Sequence, residues 1–351
     1  MSISLMHQLR HRGMVWRSIF RGDGRILATL ADGKSGDHSE VRLWDCTSGC
    51  PISPWIHLQP RSEFPSLEFS PDGTMLATGG DDRLLRFWES DSGRQCGPTI
   101  RHKSRIRCLA FHPTRRWILS GSADKLVHIW DLDSGSPVCE PLLHQSEIRS
   151  LVFGPDQNTL AVRGKGMTVQ LWNSTTQRRI GHPLTHPLRV NHACFCPVAP
   201  ILVTTSEDRL IYFWNSKTGK RFRRKPMAIG GWVHAVAFNY DGSLILTGNE
   251  HTPYKDRTCE AQLWDVKTGK PVGDPISHAT RVILTATISP DGTLTATGGE
   301  DGRILIVAVS NGHVVAVLKH KSAVYDARFS PDGRKFVTSC TDNSARVWSI
   351  R

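Results

Sequence analysis

Apolar and polar residues alternate in short runs along the whole chain, each run closed by a cluster of turn residues, which predicts half-buried β-strands joined tightly. One stretch shows the unit plainly: RIRCLAF, the turn HPTRR, WILSGS, the tight turn ADK, then LVHIWD, running from 105 to 131. SPDG occurs at 70–73, 289–292 and 330–333, NYDG at 239–242 and RGDG at 21–24. Asp-Gly between alternating apolar runs is the strongest short hairpin signal. A second turn, TSG, DSG or KTG, follows the third run at 47–49, 91–93, 133–135, 217–219 and 267–269, and a fourth, exposed strand leads onward.

The unit repeats. Trp44, Trp88, Trp130, Trp172, Trp214, Trp264 and Trp348 are separated by 44, 42, 42, 42, 50 and 84 residues, and the last gap hides a rung at Val307. Eight repeats follow, at about 11–49, 57–93, 102–135, 144–177, 186–219, 229–269, 278–312 and 320–351. Four antiparallel strands cannot bury both faces alone and must stack on neighbours. The expected fold is all-β: a single closed β-propeller of eight four-stranded blades spanning 1–351. The chain stops at Arg351 just after a third strand, so segment 1–10 is expected to complete the last blade and remove its open edge.

With literal Trp-Asp at 44–45, 130–131 and 264–265, the chain resembles the WD-repeat family over essentially its whole length. That resemblance implies a hydrogen-bonded tetrad of His, Ser or Thr, Asp and Trp in each blade. The matching sets are His102, Ser120, Asp124 and Trp130; His186, Thr204, Asp208 and Trp214; and His320, Thr338, Asp342 and Trp348. Donors and acceptors alternate around such a set, so its role is structural. The second repeat has Pro60 for His, the fourth Gly166 for Asp, and the seventh Val307 for Trp beside His278, Thr297 and Asp301. Those blades are expected to form but to be held less tightly. The phrases GSPVCEPLLH at 135–144 and GKPVGDPISH at 269–278 are similar to bacterial WD-repeat propellers often fused to serine/threonine kinases, although no kinase signature is present.

Composition narrows the function class. No apolar run is long enough to span a bilayer, and the N-terminal MSISLMHQLRHRG lacks a secretory pattern, so a cytoplasmic protein is expected. Nine cysteines without a C-x-x-C pair read as reduced thiols, several of them buried. The net charge of +12 favours acidic partners.

His182 and His186, and Cys194 and Cys196 near His192, are the residues that invite a metal; neither set has zinc-site spacing, and no metal or cofactor is expected. Recurrent His, Ser/Thr and Asp are absorbed by the tetrads, whereas a catalytic triad is a single constellation, so no catalytic residue and no enzyme activity are expected. The basic run Lys217, Lys220, Arg221, Arg223, Arg224 and Lys225 around Phe222 is read as edge protection on the outer strand of the fifth repeat, with phosphate binding as the alternative.

The expected partner site is the mouth of the central channel, where repeat loops converge. Its candidates are Trp16, Arg105, Arg107, Arg149, Arg189, Trp232, His234, Arg281 and Tyr325, a mixture typical of binding hot spots. Two enlarged turns on that face, 31–40 and 249–259, add Asp37, His251, Tyr254 and Lys255. The expectation is a non-catalytic scaffold, monomeric alone, that binds a protein or peptide of acidic character. The alternatives are a propeller for nucleic acid or another acidic polymer, and the detached sensor or scaffold domain of a kinase system.

Overall fold

The computed structural model describes residues 2–58, 66–223, 225–250, 259–280 and 282–351. Among them the regular elements are strands, assembled as eight antiparallel sheets of four. From the channel outward, blade 1 holds Val15–Phe20, Ile26–Asp32, Ser39–Asp45 and Ile56–Leu58; blade 2 holds Ser66–Phe69, Met75–Gly79, Leu84–Glu89 and Gln95–Arg101. Blade 3 holds Ile106–Phe111, Trp117–Ser122, Leu126–Asp131 and Leu142–Leu143; blade 4 holds Ile148–Phe153, Thr159–Gly164, Thr168–Asn173 and Arg178–Thr185. Blade 5 comprises Val190–Phe195, Ile201–Ser206, Leu210–Asn215 and Met227–Ala228; blade 6 comprises Trp232–Phe238, Leu244–Glu250, Cys259–Asp265 and Pro271–His278. Blade 7 comprises Ile283–Ile288, Leu294–Gly299, Arg303–Ala308 and Val314–Lys319.

Blade 8 is made from both ends of the chain. Val324–Phe329, Lys335–Cys340 and Ser344–Ile350 are joined by Ile3–Arg10, which pairs antiparallel from Ile3↔Ile350 to Arg10↔Ser344. Ser2 and Arg351 extend the pairing with reciprocal backbone bonds of 2.7 and 3.0 Å. The N-terminal closing strand expected from the sequence is therefore present.

The core is divided among the seams between blades. Ile19 and Leu43 of blade 1 meet Leu67 and Leu76 of blade 2, and every later seam has its own apolar cluster. The eighth cluster joins Val337 and Val347 of blade 8 to Val15 and Leu27 of blade 1, with Leu9 from the closing strand, so the ring is complete. This explains why second strands such as Ile26–Asp32 and Leu294–Gly299 are buried throughout, whereas the outer strand Pro271–His278 is mostly exposed. Gly121 shows how close the seams are: a Cβ there would lie 2.4 Å from Ile148 Cγ2 of the next blade.

The SPDG turns act as hydrogen-bonded clips. Ser70 Oγ donates to Asp72 at 2.6 Å, Asp72 accepts the Thr74 amide at 3.0 Å, and Gly73 takes φ 71°, which a glycine adopts without steric penalty. The outer strands of blades 1, 3 and 5 are interrupted, leaving isolated bridges such as Trp214↔Arg221. The basic run thus lies largely outside regular strand, since the outer strand of blade 5 is only Met227–Ala228.

Candidate functional site

Antiparallel order sends three parts of each blade to one face of the ring: the start of the inner strand, the turn between second and third strands, and the end of the outer strand. Loops on this face are tied down from below. Trp130 Nε1 donates to Ser120 Oγ at 2.9 Å, and the same hydroxyl meets His102 Nε2 at 3.0 Å. Trp214, Thr204 and His186 repeat this at 2.8 and 2.7 Å; Trp348, Thr338 and His320 do so at 3.1 and 2.8 Å. Blade 1 has the same chain in Trp44, Thr29 and His11, at 2.8 and 2.7 Å, which the sequence comparison of tetrads left out.

The Asp member departs from the arrangement the resemblance implies. His102 Nδ1 and His320 Nδ1 have no hydrogen-bond partner, and His186 Nδ1 faces the Met167 carbonyl at 3.2 Å. Asp124 and Asp208 instead accept the amides of Leu126 and Leu210 at 3.1 and 3.0 Å, clasping turns in which Lys125 and Arg209 take positive φ. The second oxygen of Asp208 takes the Tyr212 hydroxyl, and that of Asp342 takes Arg346 at 2.6 Å. The Asp residues hold the tight turns; Trp, hydroxyl and His hold the loops. Blade 7 keeps His278 on Thr297 at 2.8 Å without an indole, and Asp301 lies 3.5 Å from His278 Nδ1.

Blade 4 lacks the hydroxyl as well as the Asp. Val162 takes the second-strand position at which the other blades place Ser or Thr, and both Trp172 Nε1 and His144 Nε2 are buried without a partner. Val162→Thr should satisfy both groups and raise stability by about 1–2 kcal/mol, read from urea denaturation midpoints. A loss of stability would show that the pocket cannot seat the hydroxyl.

At the mouth itself the candidate residues separate into two kinds. The Arg107 side chain is only 6% exposed, and bridges Asp81 at 3.1 Å and Glu147 at 2.8 Å; Arg149 lies 3.4 Å from Glu147. Arg107 thus links blade 3 to both neighbouring blades, whereas Arg149 pairs with Glu147 of its own blade, and the charge of both is largely answered within the ring. They line a channel cavity of about 500 Å³ with Arg17 and Glu68, which face each other at 3.8 Å. Burial pushes the Arg17 guanidinium down and Glu68 up. Arg105 and Arg189 keep exposed side chains at longer range from Asp81 and Glu207, 3.6 and 3.9 Å. His234 bonds Glu250.

The aromatic candidates remain accessible. Trp232 is 42% and Tyr325 39% exposed, and Met14, before the inner strand of blade 1 on the same face, is 43% exposed. Trp16 packs edge-on against Tyr325 with ring centroids 4.8 Å apart, which fixes that pair in place. Tyr254 and Arg281, like His251, Lys255, Arg224 and Pro60, lie outside the described residues.

Among the described residues no helix is long and apolar enough to cross a membrane. The nine cysteines are free, with Cys46, Cys108, Cys196, Cys259 and Cys340 buried.

The family profile described as WD domain, G-beta repeat matches residues 62–89, 94–131, 175–215, 269–307 and 312–349, more than half of the chain. Nuclear distribution protein PAC1 of Coccidioides posadasii (strain C735) is 35% identical over 88 residues, covering 24% of this chain and 17% of that protein. Small ribosomal subunit protein RACK1 of Caenorhabditis elegans is 25% identical over 122 residues, 34% of either chain. The matched segments thus span 17% and 34% of these relatives. The computationally designed Ika8 protein superposes with a TM-score of 0.80 at 21% identity, covering 99% of this chain and all of its own, which is a likeness of fold. Repeat profile, blade count and indole-hydroxyl-imidazole chains converge, and the chain belongs to the WD40-repeat family.

Proposed function

We propose that this protein is a non-catalytic scaffold that holds a protein or peptide partner across the mouth of its channel. The observation carrying this reading is the set of exposed Trp232, Tyr325 and Met14 side chains on the mouth face, where His320–Thr338 and His11–Thr29 hydrogen bonds hold the loops that lead to Tyr325 and Met14. Large rigid aromatics on a rigid frame gain apolar contact while losing little conformational freedom, which is how binding hot spots work. Exposed Arg105 and Arg189 supply positive charge on the same rim, suiting a partner with acidic side chains. The relatives are consistent with an assembly role, because one is named as a protein of the small ribosomal subunit.

Trp232→Ala combined with Tyr325→Ala should weaken partner binding by tenfold or more, since hot-spot truncations cost about 2 kcal/mol or above. The double variant should keep the parent's melting temperature, which separates lost binding from lost folding. Equal affinity of the two proteins for a captured partner would reject the mouth.

The net charge of +12 supports a second reading, binding to nucleic acid or another polyanion. Phosphate binding would fall log-linearly with salt, whereas aromatic packing largely survives, so a salt titration of the isolated complex separates them. The phrases at 135–144 and 269–278 extend the first reading to a kinase system, with this propeller as its sensor or scaffold domain; the neighbouring reading frames test that.

A further inference from the structure

The enlarged turn of blade 1 carries chemistry that the interaction reading does not use. His38 and Glu40 come from the end of that turn and the start of the third strand, while His57 reaches Glu40 as its direct cross-strand partner on the outer strand. His38 Nε2 and His57 Nδ1 lie 3.1 and 3.5 Å from the same Glu40 oxygen, and one ligand atom from each residue falls within 4.8 Å of the others. Bonds of about 2.0–2.1 Å to a tetrahedral Zn2+ place neighbouring ligand atoms about 3.3–3.4 Å apart, so this spacing suits the ion.

Three further features point to a ligand. Glu40 is 0% exposed, and its Oε2 has no hydrogen-bond partner, a costly state for a buried carboxylate. His38 Nδ1 donates to Asp37 at 2.5 Å, the carboxylate-histidine pairing that fixes a metal-binding imidazole with its other nitrogen forward. Gly33 leaves the room this ring occupies, since a Cβ there would lie 2.2 Å from His38 Nε2. Arg12, whose side chain is half-exposed and lies over the Trp55 ring, approaches the other Glu40 oxygen, Oε1, at 3.4 Å.

We propose that His38, Glu40 and His57 form a Zn2+ site with Asp37 as the orienting carboxylate. Two imidazoles and one carboxylate favour Zn2+ over Mg2+ or Ca2+, which require more oxygen ligands. A fourth position remains for water. The ion ties the enlarged turn to the outer strand at the outer margin of the mouth face.

Calorimetric titration of Zn2+ into the chelator-treated full chain tests the site. A single tight equivalent is expected, absent with Mg2+ or Ca2+, lost in His38→Ala and His57→Ala, and weakened about 10–100-fold in Asp37→Asn. His57 is 47% exposed, so metal-free His57→Ala should melt with the parent, and Zn2+ should raise the melting temperature of the parent alone. Zn2+ affinity unchanged by these substitutions would place the ion on other His or Cys residues and overturn the proposal, as would a parent that binds only at millimolar Zn2+.

Discussion

Removal of residues 2–10 should abolish the cooperative unfolding transition of the monomer and convert the protein to aggregates. The segment supplies the whole outer strand of blade 8, and Leu9 within it is buried in the only seam that joins the two ends of the ring. Its loss exposes the backbone edge of Ser344–Ile350, a strand that is buried almost throughout. An unprotected apolar edge pairs with other chains. Leu9→Ala alone should cost about 2–5 kcal/mol, and the deletion more. Size-exclusion chromatography with a denaturation curve reads both effects; a monomeric, cooperatively folded truncation would show that the ring is closed by other contacts.

Acid should unfold the protein chiefly by protonating its buried imidazoles, whose ordinary range lies above that of the carboxylates. Burial pushes His11, His102 and His320 down to about 4 and His192 to about 3, with Arg42, His128, Arg346 and Arg163 respectively adding repulsion of the same sign. A histidine depressed in the folded state stabilises it fully above the unfolded value of about 6.5, and that contribution declines as pH falls toward the folded value. Each can remove up to about 1.4 kcal/mol per pH unit, so four acting together approach about 5 kcal/mol per unit. His38 acts in the opposite sense, because Asp37 raises it, but its partner Asp37 is largely exposed and solvent screens the pair. Against a total stability of about 5–15 kcal/mol, a midpoint between about pH 5 and pH 4 follows. Circular dichroism from pH 7 to 3.5 measures it, and a fold stable at pH 4 would contradict the burial of these rings.

The blade count was legible because it rests on local signals: indoles at near-constant spacing, Asp-Gly turns, and a missing last strand matched by a spare first one. The substitution at Val307 stood out by spacing alone. Features that depend on what faces what across strands or blades were harder to read. Arg107 and Arg149 sit at repeat positions that suit partner contact, yet Asp81 and Glu147 from loops of the two adjoining blades answer Arg107, and Glu147 from the same blade answers Arg149. Nothing in the linear spacing of those residues shows this. Val162 is a departure the sequence does show, an apolar residue at the second-strand position that carries Ser or Thr in the other blades. His38, Glu40 and His57 converge only through the Glu40↔His57 register, which an enlarged turn conceals.

These pairings also decide how the mouth should be probed. Arg107→Glu would break contacts that join blades, so reduced binding would say nothing about contact with a partner. Trp232 takes no part in those bridges, while Tyr325 also packs on Trp16 of blade 1, so loss of binding at Tyr325 is read together with the melting temperature. The most direct measurement is site-specific photo-cross-linking in the native cell, with the reactive residue placed at Tyr325 on the mouth face or at Tyr240, which is exposed in the turn on the opposite face. The account predicts a discrete cross-linked partner from position 325 and none from position 240. Adducts from 240 alone, or the same partner from both positions, would contradict binding at the channel mouth.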